Sequence, residues 1–357
     1  MLKKVLLFSC EPGGAEVIVP VAKLLAETRD YDVTVTGYGY AIERFERHQI
    51  PYTLVEKIEK NDNEFLNRFT PDLLITSATS IPAKDMSEKH LWYLAKNAGI
   101  KSIAMLDQWQ NYSIRFSGTS DKEWLAYLPD AINCINDIGK KEMIGEGFAE
   151  NILHSLGQPY LDCIGKFVDK IDSALIRKKL NISQEENIVL FVSEAIEENY
   201  SQHRGYTQYE VLYTFLKNST PVNHTSILIK LHPKDDVRKF EAIRTAFTQH
   251  KLMFISGELT SLESIAISSR VFGMTSITLI EAYILGKSVV SIQPNLKIND
   301  PFVLSRYGYV QVILNADFQL DLESDTIPEL KKRFVYEFKQ AKFLSLVNKF
   351  IRHSCEK

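Results

Sequence analysis

The chain has 357 residues, 45% of them hydrophobic, enough to bury a sizeable core and to set a starting expectation of two domains. A formal net charge of -3 and a pI near 6.3 leave no basic face for nucleic acid, so small or neutral partners are expected. The apolar run in MLKKVLLFSC is shorter than the roughly 7–15 residues of a signal-peptide core. No stretch approaches the roughly 20 apolar residues of a membrane span, so a soluble, cytoplasmic chain is expected, with peripheral membrane contact left open.

Val5 to Ser9 is a continuous apolar strand, followed by a turn at Glu11-Pro12-Gly13-Gly14. From Ala15 to Thr28, apolar residues at Val17, Val21, Leu24 and Leu25 trace a helix face, which opens a βαβ unit. Strands are then expected at Asp32–Gly37, Tyr52–Val55, Asp72–Ser77, Lys101–Leu106 and Ala131–Asn136, with helices at Ala41–His48 and Glu88–Ala98. Near-continuous apolar strands alternating with helices indicate a parallel sheet covered on both faces. Residues 157–186 read as a crossover that starts at the Gly157-Gln158-Pro159 turn. The alternation then restarts with strands at Ile188–Val192, Ile227–Leu231, Leu252–Ser256, Arg270–Gly273 and Ser288–Ile292. The expected organisation is a domain over 1–156, a second over 187–330, and a C-terminal helix from Glu329 to His353 that packs back on the first. Cys10, Cys134, Cys163 and Cys355 stand apart without a C-x-x-C or Cys/His pairing, which fits a reducing compartment and speaks against a structural zinc site.

The stretch from Thr225 to Pro294 carries the densest functional pattern. His232 and Lys234 follow a buried strand that Pro233 interrupts, and both can meet an anion at the strand's end. Thr275 or Ser276 can cap a helix that ends at Gly286; its N-terminus would offer free N–H groups to a phosphate, with Glu281 one to two turns in. Ser193 and Glu194 occupy the equivalent edge after the second domain's first strand. In the first domain, Gly13 and Gly14 suit a tight turn, and Glu16 starts the helix that follows. Asp107 follows the fifth strand, where Trp109, Tyr112 and Arg115 either wall an acceptor site or pack the domain. Nothing matches a G-x-S-x-G nucleophile elbow.

Two open parallel sheets in tandem bind ligands at the C-terminal ends of their strands, with a central cleft between the sheets as the natural site. This α/β plan of two Rossmann-like domains resembles the GT-B fold of glycosyltransferases. His232-Pro233-Lys234, followed by TSITLIEAYILGK from Thr275, is similar to paired signatures of transferases that build bacterial capsule and teichoic-acid-type polymers. There the H-P turn and the Ser/Thr helix start bind nucleotide phosphates, and the glutamate before G-K holds ribose hydroxyls. The EPGGAE turn also resembles the opening of the non-hydrolysing UDP-N-acetylglucosamine 2-epimerases. The chain departs from those at two places: it lacks their arginine in the turn, and their D-S-G-G-x-Q-E-E motif survives only as Thr275 to Glu281.

The resemblance implies a metal-independent glycosyltransferase, with a nucleotide-activated sugar as donor, a saccharide or lipid-linked acceptor and no cofactor besides the donor. Its base would be Glu16 or Asp107, and its nucleotide site Gly13, Gly14, Ser193, Glu194, His232, Lys234, Thr275, Ser276 and Glu281. The alternatives are a nucleotide-sugar epimerase or hydrolase, and a non-catalytic binding member of the fold.

Overall fold

A computed structural model describes residues 2–200, 202–323 and 333–354, so Cys355 lies outside the described residues. Two compact units result: one combines the chain up to Cys163 with the stretch from Val335 on, and the other is Ile164–Phe334.

The first unit holds a seven-stranded sheet in which every pairing is parallel. Its strands are β1 (Lys3–Ser9), β2 (Tyr31–Gly37), β3 (Thr53–Leu54), β4 (Leu73–Thr76), β5 (Lys101–Met105), β6 (Ala131–Asn133) and β7 (Leu153–His154), in the order β3-β2-β1-β4-β5-β6-β7. β7 was not expected from the sequence; two residues carry too little pattern to read. β1 and β4 are buried nearly end to end because helices cover both faces.

The second unit holds a six-stranded, all-parallel sheet of β8 (Asn187–Val192), β9 (Thr225–Lys230), β10 (Lys251–Ile255), β11 (Arg270–Gly273), β12 (Ser288–Ile292) and β13 (Gln311–Ile313). Its order is β10-β9-β8-β11-β12-β13. Phe191, Phe215 and Phe272 meet within its core, with ring centroids 5.3 and 5.0 Å apart.

Two boundaries differ from the sequence reading. Residues 157–186 do not stand outside the units: the first runs on to Cys163, and the helix Ser173–Lys179 belongs to the second, where Arg177 and Lys179 bond the carbonyls of Ile267 and Glu258. The C-terminal helix spans Gln340–Ser354 instead of starting at Glu329, which itself lies outside the described residues. Ahead of the helix the backbone is used otherwise: Tyr336 O accepts from Gln158 N at 2.8 Å, and Lys339 N donates to Leu156 O at 2.7 Å. Phe343, Val347 and Ile351 of the helix are buried in the same core as Val5, Leu7 and Ile75. Among the described residues no helix is long and apolar enough to cross a membrane.

Candidate functional site

In an open parallel sheet a crevice forms where the strand order reverses, above the C-terminal ends of the strands. In the first sheet that point lies between β1 and β4. Ser9 ends β1 and Cys10 follows it, Ser77 to Thr79 follow β4, and Asp107 follows β5 one position along. The helix Pro12–Thr28 starts directly after β1, with proline in its first turn where no N–H is needed.

Gly13 and Gly14 therefore lie inside this helix and not in a tight turn, and neither has a positive φ. Their lack of a side chain answers to close approach instead. A Cβ on Gly13 would lie 2.5 Å from Asp107 Oδ2, and one on Gly14 would lie 2.5 Å from Ser77 Cβ and 2.9 Å from Ser9 Oγ. The helix start is thus pressed onto the strand ends, and Gly13 and Asp107 are brought together.

Asp107 is held by Arg115, whose Nη1 lies 2.8 Å from Oδ1. Arg115 is 3% exposed; its Nε donates to Gln110 O at 3.1 Å and its Nη1 to Ala78 O. Trp109 and Tyr112 are equally buried, bonding Asn136 and Glu142, so this loop packs the unit and does not wall an acceptor. Glu16 is not part of the group. Its carboxylate pairs with Arg44 Nε at 3.1 Å and His48 Nε2 at 2.9 Å, and so braces the neighbouring helix Ala41–Arg47.

Beneath Ser77 to Thr79 lie two charged residues that the sequence reading did not single out. Glu88, 1% exposed, accepts from the Ser77 hydroxyl and from both the main-chain N–H and the hydroxyl of Thr79. Lys89, fully buried, donates to Thr79 O at 3.2 Å. Burial pushes the Glu88 carboxyl up, against the hydroxyls and the lysine that favour its charged form; burial pulls Lys89 down to about 8. On a helix of ordinary amphipathic spacing, adjacent charges read as a solvated face, which is why the sequence hid them. Cys10, beside Thr79, is pushed up by burial and by Glu88, which disfavours its thiolate.

In the second sheet the order reverses between β8 and β11. Glu194, after β8, and Thr275, after β11, meet there. The carboxylate accepts from Thr275 N and from the Thr275 hydroxyl, the latter at 2.7 Å, while Arg204 Nη1 donates to the same hydroxyl at 2.8 Å. Arg204 also lies over the Tyr200 ring at 4.1 Å. Ser276 caps the helix Ile277–Ile284 by accepting from Thr278 N at 3.2 Å. The Thr275 N–H, which lies before the helix cap, is thus taken by Glu194. Ser193 is buried at 4% with its N–H on Lys230 O, and Glu281 is buried at 3% within the helix.

Next to β8, β9 ends at Lys230 and leads into His232 and Lys234. His232 N donates to Asp235 Oδ2 at 2.8 Å, and its Nδ1 accepts from Lys234 N at 3.1 Å. Gln208 Nε2, 3.1 Å from Asp235 Oδ1, steadies that carboxylate. Burial, then the Lys234 charge, pulls His232 down to about 4. The imidazole is therefore neutral near pH 7, and with Nδ1 accepting, its proton sits on Nε2, which becomes a fixed hydrogen-bond donor.

No family model matches the chain, and no curated protein matches it. Solved structures do. The UDP-GlcNAc 2-epimerase of Neisseria meningitidis bound to UDP-GlcNAc is 13% identical, with 98% of this chain and 94% of that one covered and a TM-score of 0.63. The UDP-GlcNAc 2-epimerase of Methanocaldococcus jannaschii is 12% identical over 97% and 99%, at 0.64. Anabaena HepE in complex with UDP and glucose is 15% identical over 82% and 81%, at 0.57. At these identities the likeness speaks to the fold alone: the chain has an α/β GT-B-like fold of two parallel sheets, seven- and six-stranded.

Proposed function

We propose that this chain is an enzyme that binds a uridine-diphosphate sugar and works on the sugar carbons next to the diphosphate, as a 2-epimerase-type enzyme does. The observation that carries the reading is the neutral His232, whose Nδ1 is engaged by Lys234 N so that Nε2–H is a fixed donor. Such a donor beside a lysine suits a phosphate oxygen, since it adds a directed hydrogen bond to a point charge. Ser276 at the helix start would add to the phosphate contacts, and Glu281 would accept from ribose hydroxyls. The likeness to epimerases, one of them carrying UDP-GlcNAc, supports the same ligand class.

Inverting the carbon next to the anomeric centre without an oxidant requires its proton to leave as the C1–O bond to the diphosphate breaks, so that the electron pair forms a C1–C2 double bond; a proton then returns to the other face as the diphosphate adds back to C1. Asp107, fixed beside Gly13, is the base for this step in our reading. Sugar transfer to an acceptor is the second reading, supported by the likeness to HepE with UDP and glucose and by the simpler demand of transfer for a single base.

Incubation with UDP-GlcNAc alone, followed by proton NMR, separates the two. A new UDP-sugar anomeric signal without acceptor supports epimerisation, whereas UDP release only when a saccharide acceptor is added supports transfer. Absence of any thermal shift with UDP or UDP-GlcNAc would remove both.

A further inference from the structure

Three buried ionic side chains converge on three consecutive residues. Glu88 holds Ser77 and Thr79, Lys89 holds the Thr79 carbonyl, and Arg115 holds the Ala78 carbonyl. From this anchored position Arg115 reaches across to Asp107. Burying ions is costly, and an ordinary loop can be fixed with apolar contacts instead. The expense is understandable where a functional carboxylate must be held within a fraction of an ångström. The surroundings of Asp107 fit that purpose. Gly13 leaves no room beside Oδ2, Gln110 O fixes the Nε edge of the guanidinium, and Gln158 Nε2 donates to Asp107 O at 3.3 Å.

We propose that Arg115 is the positioning residue for Asp107, and that the Glu88–Lys89 pair holds the segment on which Arg115 is anchored. The inference rests on the reading that Asp107 serves the chemistry. A guanidinium is suited to the task because its rigid, planar head is fixed by Gln110 O at Nε and by Ala78 O at Nη1, which sets the place where Nη1 meets the carboxylate. The ammonium of a lysine sits on a flexible stem and would hold the carboxylate less closely.

The test compares Arg115→Gln, Arg115→Lys, Arg115→Ala and Asp107→Asn with the unaltered protein, using UDP-GlcNAc turnover with and without a saccharide acceptor and the crystal structure of Arg115→Gln. Misplacement of the base by about 1 Å lowers kcat on the order of a hundredfold. We expect that loss in Arg115→Gln with KM nearly unchanged, a smaller loss in Arg115→Lys, and partial recovery of Arg115→Ala, but not of Asp107→Asn, by added guanidinium. In the crystal the Asp107 carboxylate should turn away from its present place beside Gly13. An unmoved carboxylate overturns the proposal, and so does a loss that guanidinium and lysine fail to relieve, since that marks a role in folding only. Should Arg115→Gln not fold, Arg115→Lys carries both arms. Full turnover by Asp107→Asn would instead refute the reading of Asp107 as the base, while the position of its carboxylate in the Arg115 variants still reports on the positioning.

Discussion

Alanine at Gly13 and at Gly14 should differ in its consequence for turnover, although both replace a glycine in the first turn of one helix. On propensity alone each change would favour the helix by up to about 1 kcal/mol. At Gly14 the added methyl lies 2.5 Å from Ser77 Cβ and 2.9 Å from Ser9 Oγ. Neither neighbour can retreat: the two hydroxyls bond each other at 2.7 Å and Ser77 is also bonded by Glu88. Overpacking of a fixed contact costs about 1–3 kcal/mol, so a net loss of up to about 2 kcal/mol remains. In a unit of this size that lowers the melting temperature by up to about 8 °C. At Gly13 the obstacle is Asp107 Oδ2, the end of a side chain that can turn. Turning it breaks the ion pair with the buried Arg115, so a stability loss of about 1–3 kcal/mol should come with a fall in turnover of about tenfold or more. Differential scanning calorimetry and UDP-GlcNAc turnover on the two variants read both effects. A Gly14→Ala protein that melts at or above the unaltered one would refute the claim that the helix start is pressed onto a rigid strand end.

Three further outcomes are expected. Because His232 is held at about 4 in the fold against 6.5 when unfolded, the unfolded chain takes up the proton first; stability should decline by up to about 1.4 kcal/mol per pH unit as pH falls from 6.5 to 4, and His232→Gln should flatten that decline in urea titrations. Glu88→Gln weakens the bonds from Ser77 and Thr79 and removes a charge that offsets the buried Lys89, and should cost about 1–3 kcal/mol in urea unfolding; an unchanged stability would show that Glu88 does not hold this segment. Glu281→Gln should weaken UDP by about 1–2 kcal/mol and its 2′-deoxy analogue far less in calorimetric titration, and equal losses would withdraw the residue from ribose recognition.

The parallel sheets were legible because their strands are apolar on both faces and their bounding turns hold glycine or proline; Arg270–Gly273 and Ser288–Ile292 were read to the residue. Side-chain direction was not legible. Glu16 looked like a strand-end carboxylate in sequence, yet a residue one turn into a helix faces wherever its neighbour offers a charge, and Arg44 and His48 do so. Glu194 and Thr275 were read as separate ligand contacts, but their juxtaposition follows from β8 and β11 being neighbours across 81 residues, which no local pattern reports. The Glu88–Lys89 pair was missed because burial of charge depends on partners that come from another strand end.

The first unit is built from two stretches of the chain on either side of the second, and this bears on its order of assembly during synthesis. The helix Gln340–Ser354 supplies Phe343, Val347 and Ile351 to a core otherwise made before Cys163, so that core stays open until the whole second unit and this helix have left the ribosome. The second unit, drawn from one uninterrupted stretch, can complete its core earlier. A nascent chain halted before Gln340 should therefore display an exposed apolar patch on the first unit where Val5, Leu7 and Ile75 await their cover, a surface for chaperones to shield until that helix arrives.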